Sequence, residues 1–273
     1  MVDLPPLREV IAAHGLDAKK SLGQHFLFDL NLTGRIARAA GDLSLGTTIE
    51  IGPGPGGLTR ALLDAGAAHV IGIERDDRAI AIQSEIAGAY PGKLEIIPAD
   101  ALTIDAAKLG SAPRRIVANL PYNISTELLL RWLRDAECFE SFTLMFQKEV
   151  VDRLAAAPGT KDYGRLSVIT QWRCVVKPLF TLAKEAFTPP PKVASTVVKL
   201  TPRPEPLAPA RRGTLEKVTA AAFGQRRKML RSSLKTLGPA DLLLERAGLD
   251  PTRRAEEIPV EGFCALARAL DGL

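Results

Sequence analysis

Cysteine is scarce in this chain: Cys138, Cys174 and Cys264 lie far apart along 273 residues. So small, odd and scattered a set is no disulfide framework and has no metal-ligand spacing. It predicts buried or idle thiols in a reducing compartment, and no metal. No run of ~18 consecutive apolar residues occurs, so no membrane-spanning helix is expected. A basic-then-apolar leader is missing as well, and the expectation is a soluble, cytoplasmic protein without a membrane partner. Strong charge of one sign is also lacking, with 36 Lys+Arg against 31 Asp+Glu. The distribution is less even than the total: residues 203–235 hold nine Lys/Arg and two acids. A basic face near the C-terminus is the footprint of a polyanion partner or of a solvated helix face. No internal repeat is visible.

What is present is an alternation of short β-branched runs with longer helical stretches. Strands are expected at Thr47–Ile51, His69–Glu74, Leu94–Ile97, Ile116–Ala118 and Phe142–Phe146. Helices are expected from Leu58 to Asp64 and around Ile80, Ile82 and Ile86. Apolar strands separated by helices predict an α/β fold whose parallel sheet is covered on both faces. Val168–Val176 and Thr196–Leu200 read as longer strands that pair antiparallel at one sheet edge. The proline-rich stretch Thr201–Pro209 can continue neither strand nor helix, and it reads as an extended linker. Beyond it, Leu215, Val218, Ala222, Phe223, Leu230, Leu234 and Leu237 form an apolar helical stripe that Gly238-Pro239 ends. The expected organisation is a catalytic domain over 1–200 with an N-terminal extension over 1–45, a linker over 201–210 and a small helical domain over 211–273.

Gly52-Pro53-Gly54-Pro55-Gly56-Gly57 follows the first strand and precedes a helix, the position at which open α/β sheets bind ligands. The spacing is that of a dinucleotide fingerprint. Pro53 and Pro55, however, each delete a backbone N–H that would grip a pyrophosphate. S-adenosylmethionine, a nucleoside with a cationic sulfonium and no phosphate, loses little by their absence and tolerates the leading acid Glu50. Glu74 and Asp100 end the next two strands, where carboxylates suit ribose hydroxyls and the adenine amine; taken singly, each also reads as a helix cap.

Asn119-Leu120-Pro121-Tyr122 closes the fourth strand. An amide oxygen, a main-chain carbonyl beside a proline and an aromatic ring form a compact site for a flat, NH2-bearing base. Together with the glycine turn, this points to methyl transfer onto an amino group.

The chain resembles the small-subunit ribosomal RNA adenine N6-dimethyltransferases, the KsgA family, over essentially its whole length. The matching residues are Lys20-Ser-Leu-Gly-Gln-His-Phe-Leu27, Glu50–Thr59, Glu74, Asp100, Asn119–Tyr122, Phe187-Thr-Pro-Pro-Pro-Lys-Val193 and Phe223-Gly-Gln-Arg-Arg-Lys228. The resemblance implies a Rossmann-like class I S-adenosylmethionine-dependent methyltransferase with a small C-terminal helical RNA-binding domain. It implies dimethylation at N6 of two adjacent adenosines near the 3′ end of 16S rRNA, on the pre-30S particle, by a monomer. A large-subunit dimethyltransferase of the antibiotic-resistance kind and a mainly binding ribosome-assembly factor are the rival readings.

The resemblance also implies roles. His25 and Leu27 border the cofactor with Gly52 and Gly54, Glu74 binds ribose, Asp100 binds the adenine amine, and Asn119 lies between cofactor and substrate. Asn119 and the Leu120 carbonyl take the N6 protons so that the delocalised lone pair can turn to the methyl. Pro121 holds that carbonyl, Tyr122 and Phe187 sandwich the flipped base, and no general base is needed. Arg226, Arg227, Lys228 and Arg231 are expected to contact phosphates. Two departures stand out: His25 where the family often has Asn, and Ala194 where it usually has Asp.

Overall fold

The computed structural model describes residues 4–16 and 24–273, so Lys20–Gly23 of the N-terminal motif lie outside the described residues. The chain forms two compact units, Met1–Lys148 with Lys177–Pro202, and Glu149–Val176 with Arg203–Leu273. The first contains α1 (Leu7–Ala13), β1 (Phe26–Leu27), α2 (Leu30–Ala40), β2 (Thr47–Ile51), α3 (Gly57–Asp64), β3 (His69–Glu74), α4 (Asp77–Ala89), β4 (Leu94–Pro98), β5 (Arg114–Asn119), α5 (Ser125–Trp132) and β6 (Ser141–Gln147). Then follow α6 (Lys148–Ala155), α7 (Arg165–Arg173), β7 (Cys174–Leu182), β8 (Phe187–Thr188) and β9 (Ser195–Pro202). The chain closes with α8 (Arg212–Gly224), α9 (Leu230–Ser233), α10 (Ala240–Ala247) and α11 (Val260–Asp271).

The main sheet has the order β4-β3-β2-β5-β6-β9-β7. β2 through β6 pair in parallel, and β9 runs antiparallel to β6. Strands covered on both faces need apolar, β-branched residues on both faces. Ile49, Ile71, Ile116, Val117, Phe142 and Leu144 are accordingly buried. Asp29 and Asp76 cap α2 and α4, their carboxylates accepting the orphan N–H groups of each first turn. The strand order reverses between β2 and β5, and a crevice opens there at the strand C-termini. The five parallel strands and the antiparallel β9 lie where the sequence places them.

Several expectations are corrected. Val168–Val176 is not a strand: Val168, Ile169, Thr170 and Trp172 are buried on α7, and extended structure starts at Cys174. A short run of β-branched residues reads the same way in a buried helix and a buried strand. A single cut near residue 200 does not divide the chain either, because α7 packs on α8 and α11, which draws 149–176 into the second unit. Nor is the proline-rich stretch a free spacer. Arg203 and Leu207 donate backbone N–H groups to the carbonyls of Arg173 and Trp172, and Trp172 Nε1 donates to Ala208 O at 2.8 Å.

The tail stripe is also not one helix. α8 ends at Gly224, and the chain runs extended at Met229, where it forms a bridge to Arg254, before α9 begins. Leu230 and Arg231 donate their N–H groups to the carbonyls of Arg253 and Pro251. Those acceptors come from a loop remote in sequence, which periodicity along one segment does not register.

Candidate active site

The crevice is a concave pocket at the C-terminal ends of the parallel strands, where open α/β sheets bind ligands. His25, Gly52, Gly54, Glu74, Asp100, Asn119, Leu120, Pro121 and Tyr122 all line it. Segments distant in sequence therefore converge: the stretch entering β1, the glycine turn between β2 and α3, and the ends of β3, β4 and β5.

The glycine turn needs its glycines. Gly54 has φ +53°, and an added Cβ there would come 3.1 Å from the Phe26 ring. Gly52 has φ +64°, and its Cβ would project toward Pro121 at 3.8 Å, into the space a ligand needs. The N–H groups of the turn are already committed: Gly52 N–H donates to Ile73 O, Gly56 N–H to Pro53 O and Gly54 N–H to Glu74 Oε2. With Pro53 and Pro55 providing none, these positions offer nothing to a pyrophosphate. The donor set fits a nucleoside without phosphates.

Glu74 is buried, and its other oxygen accepts from the N–H groups of Arg75 and Asp76 at 2.8 and 3.0 Å. Both oxygens are thus oriented, and Oε2, which accepts only from Gly54 N–H among the described residues, keeps a lone pair for a hydroxyl donor. Asp100 caps a short 3-10 turn through Leu102 N–H at 2.9 Å and holds Arg75 Nη1 at 3.2 Å. It is both a helix cap and a cavity carboxylate. Glu50 lies behind the turn, 2 % exposed, accepting from Thr59 Oγ1 at 2.7 Å. Burial pushes its carboxyl up to about 8, and the nearby Glu74 charge adds to the rise. Near neutral pH it is mostly protonated, so it brings little charge to the cavity.

Asn119 donates from Nδ2 to the backbone carbonyl of His25 at 3.0 Å. Its Oδ1 has no donor among the described residues and remains available as an acceptor. Tyr122 bonds through its hydroxyl to Ser195 Oγ at 2.6 Å, and its ring stacks on His25 with centroids 5.3 Å apart. Burial raises the Tyr122 phenol above its ordinary value. The result is an oriented amide oxygen beside an immobilised ring.

Not every expected residue reaches the cavity. Phe187 is 2 % exposed and pairs through β8 with Leu27 of β1, in the hydrophobic core. Phe187 is thus not among the residues lining the crevice in this structure. Leu27 instead borders a smaller cavity behind the glycine turn, together with Phe26, Gly52 and Asn119. Arg226 has other partners as well: it pairs with Glu256 at 2.9 Å and donates from Nη2 to the carbonyls of Thr160 and Lys161, which ties the second unit together. Arg227, Lys228 and Arg231 are exposed.

Sequence reading missed Phe26, Gln24 and Arg75. Arg75 directly follows the strand-ending acid, a position on the cavity rim by construction. Gln24 donates to Asp76 Oδ2 at 3.2 Å, a contact no local pattern signals. Asp76, bonded by the Arg78 guanidinium and by Gln24, is held down to about 2.

Residues 15–271 match the family model described as ribosomal RNA adenine dimethylase. The chain belongs to that family. As a ribosomal RNA adenine dimethylase it is an enzyme whose methyl donor is S-adenosylmethionine. Relatives within the dimethylase family include the ribosomal RNA small subunit methyltransferase A of Paramagnetospirillum magneticum, 79 % identical over 99 % of this chain and 96 % of that protein. The protein of the same name in Rhodospirillum rubrum is 73 % identical over 98 % of this chain and 93 % of its own length. Among solved structures, a dimethyladenosine transferase from Plasmodium falciparum superposes with a TM-score of 0.79 at 26 % identity, covering 91 % of this chain and 98 % of that one. The 23S rRNA methyltransferase ErmE gives 0.67 at 28 % identity, over 90 % and 99 %.

Proposed function

We propose that this chain dimethylates N6 of two adjacent adenosines near the 3′ end of 16S rRNA, acting as a cytoplasmic monomer on the pre-30S particle late in small-subunit assembly. The small-subunit assignment is supported by the names of relatives at 73–79 % identity that match nearly end to end. The single observation carrying the chemistry is the Asn119 amide on the crevice wall beside Tyr122, its Nδ2 held by the His25 carbonyl and its Oδ1 without a donor among the described residues.

S-adenosylmethionine supplies an electrophilic methyl group on a sulfonium. Glu74 and Asp100 would hold its ribose and adenine amine, with Gly52 and Gly54 leaving room for the methionine part and His25 on the border. The adenine N6 lone pair is delocalised into the ring and is a poor nucleophile. Asn119 Oδ1 and the Leu120 carbonyl accept the N6 protons, favour a pyramidal nitrogen and stabilise the charge it gains. Pro121 limits the backbone freedom of that carbonyl, and Tyr122 provides the stacking surface. The methylated amine is strongly acidic and loses its proton without a dedicated base. Arg227, Lys228 and Arg231 would bind rRNA phosphates, and Arg226 would brace the segment that presents them.

The test supplies labelled S-adenosylmethionine with undermethylated small and large subunits and maps N6,N6-dimethyladenosine. Label in small-subunit rRNA that disappears with Asn119→Ala is the expected result. Label confined to the large subunit would transfer the chain to the resistance class. Tight binding without label would leave an assembly factor.

A further inference from the structure

We propose that Gln24 is a second ribose contact of the cofactor pocket, and that the buried Asp76–Arg78 pair positions it together with Glu74. The inference deepens the methyl-transfer reading above and rests on its placing of the cofactor ribose at Glu74.

Glu74 has too few acceptor positions to hold a ribose by itself. Its Oε1 takes the N–H groups of Arg75 and Asp76 at 2.8 and 3.0 Å, and its Oε2 takes Gly54 N–H at 3.0 Å. A carboxylate accepts at about four lone-pair positions, so one is left, on Oε2. A ribose brings two neighbouring hydroxyls. Gln24 lines the same crevice. Its Nε2 donates to Asp76 Oδ2 at 3.2 Å, and Asp76 is also the residue whose N–H meets Glu74 Oε1. One residue thus fixes both side chains. An amide carries an acceptor oxygen as well as N–H donors, the groups with which a hydroxyl pairs.

Asp76 is a holder and not itself a ligand contact. It is 5 % exposed, and its acceptor positions are all taken. Oδ1 accepts from the backbone N–H and Nε of Arg78 at 3.3 and 3.0 Å, and Oδ2 from Arg78 Nη2 at 2.7 Å and from Gln24. Capping α4 uses only Oδ1, so the cap does not account for the contacts of the second oxygen. The guanidinium meets the carboxylate through two N–H groups, the geometry of an oriented ion pair. Its Nη1 donates to Gly15 O at 2.9 Å. The pair therefore ties the chain at Gly15, and again at Gln24, to the stretch that follows β3 and Glu74. Asp76 acts on the cofactor through Gln24 and Glu74, and Arg78 acts through Asp76.

The test is equilibrium binding of S-adenosylhomocysteine and its 2′-deoxy and 3′-deoxy analogues to the wild type, Gln24→Ala, Asp76→Asn and Arg78→Ala. Thermal stability and steady-state methylation of undermethylated small subunits are measured in parallel. The wild type should bind each analogue about five- to tenfold less tightly, the scale of one hydrogen bond. Gln24→Ala should lose about the same factor for S-adenosylhomocysteine, and show no further loss with the one analogue that lacks the hydroxyl Gln24 serves. Asp76→Asn keeps a good helix cap but turns an N–H group on Gln24 and Arg78, so it should shift toward the same pattern. Arg78→Ala should move in that direction by less. In all three the KM for S-adenosylmethionine should rise while kcat stays within about twofold, as when uniform binding is lost. Gln24→Ala that keeps wild-type affinity, or that still discriminates against both analogues, overturns the assignment of Gln24. Asp76→Asn that matches the wild type with all three ligands overturns the positioning role of the pair; if it does not fold, Arg78→Ala decides by the same criterion. Wild-type protein that binds all three ligands equally would refute the placing of the ribose at Glu74, a separate outcome.

Discussion

Glu50 lies fully enclosed beneath the glycine turn, with Thr59 as its one bonded partner among the described residues and the Glu74 charge close by. Its carboxyl rises from about 4.5 to about 8 because burial penalises the charged form. Between those values the folded chain keeps a proton that the unfolded chain has lost, so stability falls as pH rises through that window. A Tm profile of the wild type should decline from pH 5 to 8.5, whereas Glu50→Gln should flatten it and be the more stable protein at pH 8.5. A wild-type slope retained in the variant would place the titration elsewhere. Asn119 is the other informative residue. Its Asp variant removes the amide donor that meets the His25 carbonyl and sets a charged oxygen against that carbonyl. Methylation should fall by about 10²-fold or more, as it does when an oriented polar group at a reacting centre is removed, with cofactor-product affinity measured in parallel.

At the scale of elements, the turn from β2 to α3 depends on backbone that only glycine adopts without strain. Gly56 has φ +90°, and an added Cβ would lie 2.3 Å from Ile86 Cδ1. Gly56→Ala should destabilise the protein by about 1–3 kcal/mol from left-handed strain, with overpacking against α4 in addition. Denaturant unfolding measures it. The β1–β8 pair tells the same story for packing. Phe187 sits in the core opposite Leu27, so Phe187→Ala should cost about 3–5 kcal/mol as a cavity. Phe187→Leu should restore most of the stability and the activity together. Activity lost in Phe187→Leu at full stability would instead return the phenyl ring to the substrate.

For the whole molecule, the basic segment divides by what the tertiary contacts leave free. Arg226 is bound to Glu256 and two carbonyls, while Arg227, Lys228 and Arg231 face solvent. Charge reversal at Arg227 and Lys228 should weaken subunit binding and lower the salt slope by about one for each phosphate no longer neutralised. Arg226→Ala should lower Tm and leave that slope nearly unchanged. Filter binding across a salt series separates the two.

Much of this was legible along the chain because its signals are local. β-branched runs set the five parallel strands, the prolines of the glycine turn argued against a pyrophosphate, and Asn-Leu-Pro-Tyr ended a strand at the crevice. Strand-end acids fall at one edge of a parallel sheet by topology alone, which is why Glu74 and Asp100 were found. What the chain could not reveal depends on partners distant in sequence. Val168–Thr170 became helix because α8 and α11 cover it, Phe187 turned inward because Leu27 pairs with it, and Arg226 gave up its freedom to Glu256. His25 gained its position the same way, from Asn119, Tyr122 and Pro189. Periodicity and residue type determine which segments can bury a face and which groups can react. Only the folded chain decides which face is covered, and therefore which of those groups still point at a ligand.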